Sequence, residues 1–139
     1  HRALIACAHR LKIPYTLHVA VGTDIVHQHP TASGAAIGEA SLRDFRMFAS
    51  TVSKLGGGGE VINVGSAVIK PEVSLKSLAL ARNLRYQLKG FTPSNFDMNM
   101  HYSTRDKEYQ RPVLAGRRGY AITGHNEIMI PLLAAAICE

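Results

Sequence analysis

The chain has 139 residues, 46% of them hydrophobic and 19% charged, with a net charge of +6. That is enough for one ordinary domain with a real core, and the balance is that of a globular chain rather than a disordered or fibrous one. No apolar run reaches membrane-spanning length, no secretory signal is visible, and Cys7 and Cys138 lie far apart without metal-type spacing. A membrane partner and a disulfide scaffold are therefore set aside, and a cytoplasmic location is expected.

The chain opens on "HRALIACAHRLKIP", in which Leu4, Ile5, Cys7, Ala8 and Leu11 form an apolar stripe at helical spacing. No cap precedes it and no Met begins it, so the expectation is a C-terminal fragment of a longer protein, folded as a single α/β domain over 1–139. Ile13–Ala20, "IPYTLHVA", is rich in β-formers and predicts a strand. Val21–Pro30 predicts a loop. Ser33 or Thr31 can cap a long helix over Gly34–Leu55, which the four glycines of Gly56–Gly59 stop. Glu60–Gly65 predicts a buried strand, and Pro71 to about Arg85 a helix, with proline at its first position and Glu72 suiting its positive end. Gln87–Thr92 predicts another strand. Pro93–Arg118 is long, polar and without period, which predicts a lid or an interface arm. Tyr120–Thr123 predicts a last strand, and Asn126–Cys138 a helix apolar nearly all round and so buried. This alternation of strands and helices predicts an α/β fold, a mostly parallel sheet with helices on both faces.

The basic residues are dispersed among polar neighbours, without the aromatic interleaving or helix-turn-helix pattern of a nucleic-acid binder. No nucleic-acid partner is expected. The charge suits a small anionic or neutral ligand.

In open parallel sheets, ligands bind past the carboxyl ends of the strands. Three stretches fall there: "VGTDIVHQHP", "GSAVIKPE" and "TGHNE". Together they offer Asp24, His27, His29, Ser66, Glu72 and His125 as one rim. His27 and His29 are two apart, so in an extended loop both point to one side. With Asp24 and either His18 or His125 they could hold a divalent metal, although no specific metal signature is matched. Gly65, Ser66 and Ala67 would let a backbone approach a cofactor, with free N–H groups at the start of the following helix. His125 beside Glu127 is a candidate acid–base pair.

The stretches "IPYTLHVAVGTD", "INVGSAVIKPEVSLKSLALARN" and "IMIPLLAAAI", in this order, resemble the C-terminal half of deoxyhypusine synthase and its bacterial relatives. The resemblance implies a Rossmann-like, NAD-binding fold and a homo-oligomer with sites between subunits. It also implies a polyamine substrate and a lysine that forms an imine. The chain departs from that pattern at the chemistry. Thr23 precedes Asp24 where another residue is expected. Lys70 is followed by Pro71 and Glu72 instead of histidines, and His125 stands in place of an aspartate. Ala115-Gly116-Arg117 occupies the Trp-Gly-Lys position, and a guanidinium cannot form the imine. The cationic 105–118 stretch would also disfavour a polyamine.

The expectation is therefore a deoxyhypusine synthase-like protein without that activity, binding a small ligand at the rim. A metal- or histidine-assisted hydrolase at the same rim is the first alternative, and a non-catalytic oligomeric fragment the second. Detection of aminobutyl transfer from spermidine would refute the expected lack of synthase activity.

Overall fold

Residues 3–101 and 118–138 are described in the computed structural model. The chain divides into two units, His1–Thr51 and Val52–Glu139.

The first unit begins with α1, Leu4–Arg10, whose N-terminus carries no side-chain cap. Its apolar stripe is not buried, and Leu4 is 79% exposed. Lys12 follows in the left-handed region at φ 55°. There its N–H bonds the carbonyl of His9, and the N–H of Ile13 bonds that of Ala8. Those two bonds are the Schellman closure of a helix end.

Ile13–Ala20, expected as a strand, forms none. Propensity alone does not make a strand without a ladder to join. Here the N–H of Leu17 is taken instead by the Asp44 carboxylate at 2.9 Å. A turn of 3₁₀ helix, Ile25–Gln28, interrupts the next loop. Helix α2 spans Gly34–Val52, three residues shorter than expected. Ser33 caps it, its Oγ accepting the N–H of Ala36.

The second unit is built on three parallel strands: β1 (Glu60–Val64), β2 (Thr92–Asp97) and β3 (Tyr120–Thr123), in that order across the sheet. Helix α3, Ile69–Asn83, joins β1 to β2. Helix α4, Asn126–Cys138, follows β3 and packs against β2. The strand expected at Gln87–Thr92 lies instead at Thr92–Asp97, inside the stretch expected to be irregular. Proline explains both the misreading and its resolution. Pro93 has no N–H for a ladder and argues against a central strand. But β2 meets β3 only from Ser94 onward, so at Pro93 it has β1 as its sole neighbour in the sheet. Within the rest of the expected lid, residues 102–117 lie outside the described residues.

Helix α3 starts two residues before the expected Pro71, which is its third residue. A proline in the first turn removes only an N–H that has no intrahelical partner. Val52, Leu78, Ala81, Leu88, Phe91 and Phe96 form the apolar core of this unit. A small cavity lies among Val52, Leu55, Val61, Leu78 and Phe91. Helix α4 has no buried residue, against the expectation that its apolar surface would be enclosed. Apolarity all round gives a helix no preferred face, and α4 leaves Ile128, Leu132 and Ile137 exposed.

Candidate functional site

The six rim candidates divide between the two units. Asp24, His27 and His29 belong to the first, and Ser66, Glu72 and His125 to the second.

In the first unit the histidines do not sit on an extended loop. His27 is inside the 3₁₀ turn and His29 closes it, so the two-residue spacing no longer aligns them. Asp24 precedes the turn, exposed and without a side-chain cap bond. The Nδ1 of His27 accepts the N–H of Gly22 at 3.2 Å. The Nδ1 of His29 accepts the N–H of Thr31 at 3.3 Å and lies 2.8 Å from the Thr31 hydroxyl. Nε2 of His27 is buried with no hydrogen-bond partner.

His18 stands apart from them. Its ring meets Phe48 edge-on at 5.4 Å, and its Nε2 pairs with the Thr16 hydroxyl at 3.1 Å. Burial holds its pKa below the ordinary histidine value, partly offset by the Asp44 carboxylate. Among the described residues no group of three or more His, Cys, Asp or Glu side chains could hold a metal ion.

In the second unit the register brings three loops to the carboxyl edge of the sheet. Gly65 leaves β1 with its N–H on the carbonyl of Phe96, and Gly124 leaves β3 with its N–H on the carbonyl of Asp97. Gly65 has φ 62°, and a Cβ there would come within 3.2 Å of the Asn126 amide nitrogen. The β1 loop and the start of α4 therefore meet closely. His125 lies at that start, exposed, its carbonyl accepting the N–H groups of Ile128 and Met129.

The Ser66 hydroxyl is engaged by the backbone. Its Oγ accepts the N–H of Lys70 at 3.1 Å. Pro71 has no N–H, and that of Glu72 bonds the carbonyl of Val68. The first turn of α3 is thus largely spent, against the expectation of free N–H groups there. A dinucleotide such as NAD would need backbone donors at this turn, and those of Lys70 and Glu72 are already bonded. Glu72 lies one turn into α3 and is ion-paired with Lys76.

The residues that sequence reasoning passed over are asparagines. Asn63 on β1 is 1% exposed, and Asn95, its register partner on β2, is 2% exposed. The Asn63 amide nitrogen donates to Asn95 Oδ1 at 2.7 Å and to the carbonyl of Ser66 at 2.9 Å. A carbonyl can only accept, so Ser66 fixes which end of the Asn63 amide faces it. Oδ1 of Asn63 is then left buried with no hydrogen-bond partner, and so is Oδ1 of Asn126. Asp97 ends β2 between these two loops, partly exposed, its Oδ1 only 3.4 Å from the Asn99 N–H. The polar residue inside the run "VINV" is the available signal.

No family model, no curated protein and no solved structure matches the chain. Among the described residues no helix is long and apolar enough to cross a membrane.

Proposed function

We propose that the second unit binds a small neutral molecule rich in hydroxyl or N–H donors, at the carboxyl edge of its parallel sheet. The observation that carries this reading is the buried, unpartnered Oδ1 of Asn63. Leaving such an acceptor unmet costs about 1–3 kcal/mol, a cost that a ligand donor relieves. Two further acceptors lie on the loops of this edge, the Asn126 carboxamide oxygen, also buried without a partner, and the Asp97 carboxylate. A site of this kind favours hydroxyls and disfavours phosphate. His125 stands beside it as a group that could exchange a proton with a bound hydroxyl. The reading keeps the small ligand expected from the sequence but, of the six rim candidates, only His125, and it favours the neutral over the anionic choice.

Native mass spectrometry of the purified protein tests it. A bound neutral mass is expected, with occupancy reduced about tenfold in Asn126→Ala, the equivalent of one hydrogen bond of about 1.4 kcal/mol. A protein that carries no added mass, and whose melting temperature a panel of sugars and polyols leaves unmoved, would sink the reading.

A further inference from the structure

We propose that the outer edge of β1 is a strand-binding site, and that its occupant is the Ile13–Ala20 segment of a second copy of this chain, exchanged reciprocally about a two-fold axis. The edge follows from the ladder. Gly59 gives its carbonyl and Gly65 its N–H to β2. Backbone groups alternate sides along a strand, so Val61 and Asn63 also bond β2, and Glu60, Ile62 and Val64 turn theirs outward. Among the described residues nothing pairs with them, because β1 ends the sheet. The strand also lacks the devices that blunt an edge. It holds no lysine or proline, its register with β2 is unbroken by a bulge, and its one charge, Glu60, is at its first position. Ile62 and Val64 are exposed, whereas a parallel sheet is ordinarily covered on both faces.

Ile13–Ala20 has the complementary properties. It is rich in β-formers and lies in no ladder within its own chain. The N–H of Leu17 goes to Asp44, so those of Thr16 and His18 turn the other way, and neither bonds a described group. Pro14 has no N–H, and the Ala20 carbonyl is taken by Thr23, which bounds the unpaired stretch. The side chains alternate too. Thr16 and His18 are half-buried, His18 against Phe48, while Ile13, Tyr15 and Leu17 are exposed. These two alternations select a direction. In a parallel pair, the residues that bond across lie on opposite faces, as Val61 does to Ser94 in the existing ladder. Parallel addition through Thr16 and His18 therefore places Ile13, Tyr15 and Leu17 on the same face as Ile62 and Val64, apolar row beside apolar row. Antiparallel addition would put them on the other face. The parallel direction also carries the second copy's Val21–Pro30 loop to the carboxyl edge of the sheet. Each copy gives one strand and takes one, so the exchange closes at two. The pairing needs no ligand and is independent of the neutral-ligand reading.

Residue-resolved amide hydrogen exchange by NMR on the whole chain, at two concentrations with mass followed by sedimentation, tests this. In the dimer the amides of Thr16, His18, Ile62 and Val64 are expected to exchange about tenfold more slowly than in the monomer obtained by dilution, with that of Tyr15 unmoved. Thr16→Pro, which removes one pairing N–H, is expected to return Ile62 and Val64 to the monomer rate. A dimer in which these four amides exchange freely, as contact through α4 alone would give, overturns the proposal. So does a chain that stays monomeric, or slow exchange of the four in the monomer itself. The comparison of dimer with monomer uses the unaltered protein, and so decides even if Thr16→Pro fails to fold.

Discussion

An asparagine inside a parallel strand is stable only if its amide is bonded at both ends, and Asn63 is bonded at one. Its position was legible, since one polar residue interrupts the β-formers of "VINV", but its partner was not. Asn95 is thirty-two positions away and lay in a stretch that Pro93 made look irregular. Conversely, the histidines that drew attention were legible as residues and illegible as rings. Which ring nitrogen is engaged depends on Gly22 and Thr31, and no spacing rule encodes that. His18 gives the residue-scale prediction. Its folded pKa is depressed, so between that value and the unfolded value near 6.5 the unfolded chain binds more protons. Stability from this group is present in full above about pH 6.5 and is lost as pH falls toward the folded pKa. Melting temperature measured from pH 7.5 down to 5 is therefore expected to fall, and His18→Phe, which keeps an aromatic ring against Phe48, is expected to flatten that slope. An unchanged slope would assign the acid sensitivity elsewhere.

At the scale of elements, the sequence reading located α2, β1, α3, β3 and α4 to within a few residues. It failed where local preference and context disagreed. Ile13–Ala20 has strand-forming residues and no ladder, whereas Thr92–Asp97 has a proline and a place in the sheet. Helix ends show the same tension. Arg85 sits at φ 65° after α3, with its N–H on Arg82 and that of Tyr86 on Ala81, a Schellman closure made without glycine. An L-residue with a Cβ pays for that conformation, and its side chain is exposed. Arg85→Gly is expected to stabilise the protein by about 0.5–1 kcal/mol, read from chemical denaturation midpoints at constant slope. Destabilisation would mean that the arginine side chain contributes more than its backbone strain costs.

Across the whole molecule, the outstanding property is apolar surface. Leu4, Val21, Ile25 and Ile137 are each at least 72% exposed, and α4 presents Ile128 and Leu132 as well. Single exposed hydrophobes are ordinary, but a helix apolar on every side is a contact waiting to be made. The homo-oligomer expected from the sequence thus becomes a prediction. Sedimentation velocity should show self-association at tens of micromolar, and Leu132→Asp should shift the protein toward monomer while leaving its circular dichroism unchanged. A monomer at all concentrations would remove α4 as the contact. The net charge of +6 opposes association at low salt, so raising ionic strength should strengthen it.

From the sequence, the run Gly56–Gly59 does no more than stop a helix, and the geometry asks more of two of its members. A Cβ on Gly56 would lie 2.1 Å from the Gln87 carbonyl oxygen, and one on Gly59 2.7 Å from that of Leu55. The consequence concerns how mutations in this protein are to be interpreted. Any survey of tolerance to substitution will find these two positions as unforgiving as a catalytic centre, although they carry no side chain that could do chemistry. Intolerance at 56 and 59 is the signature of two backbones in close approach, and only positions that lose binding at undiminished abundance mark a site.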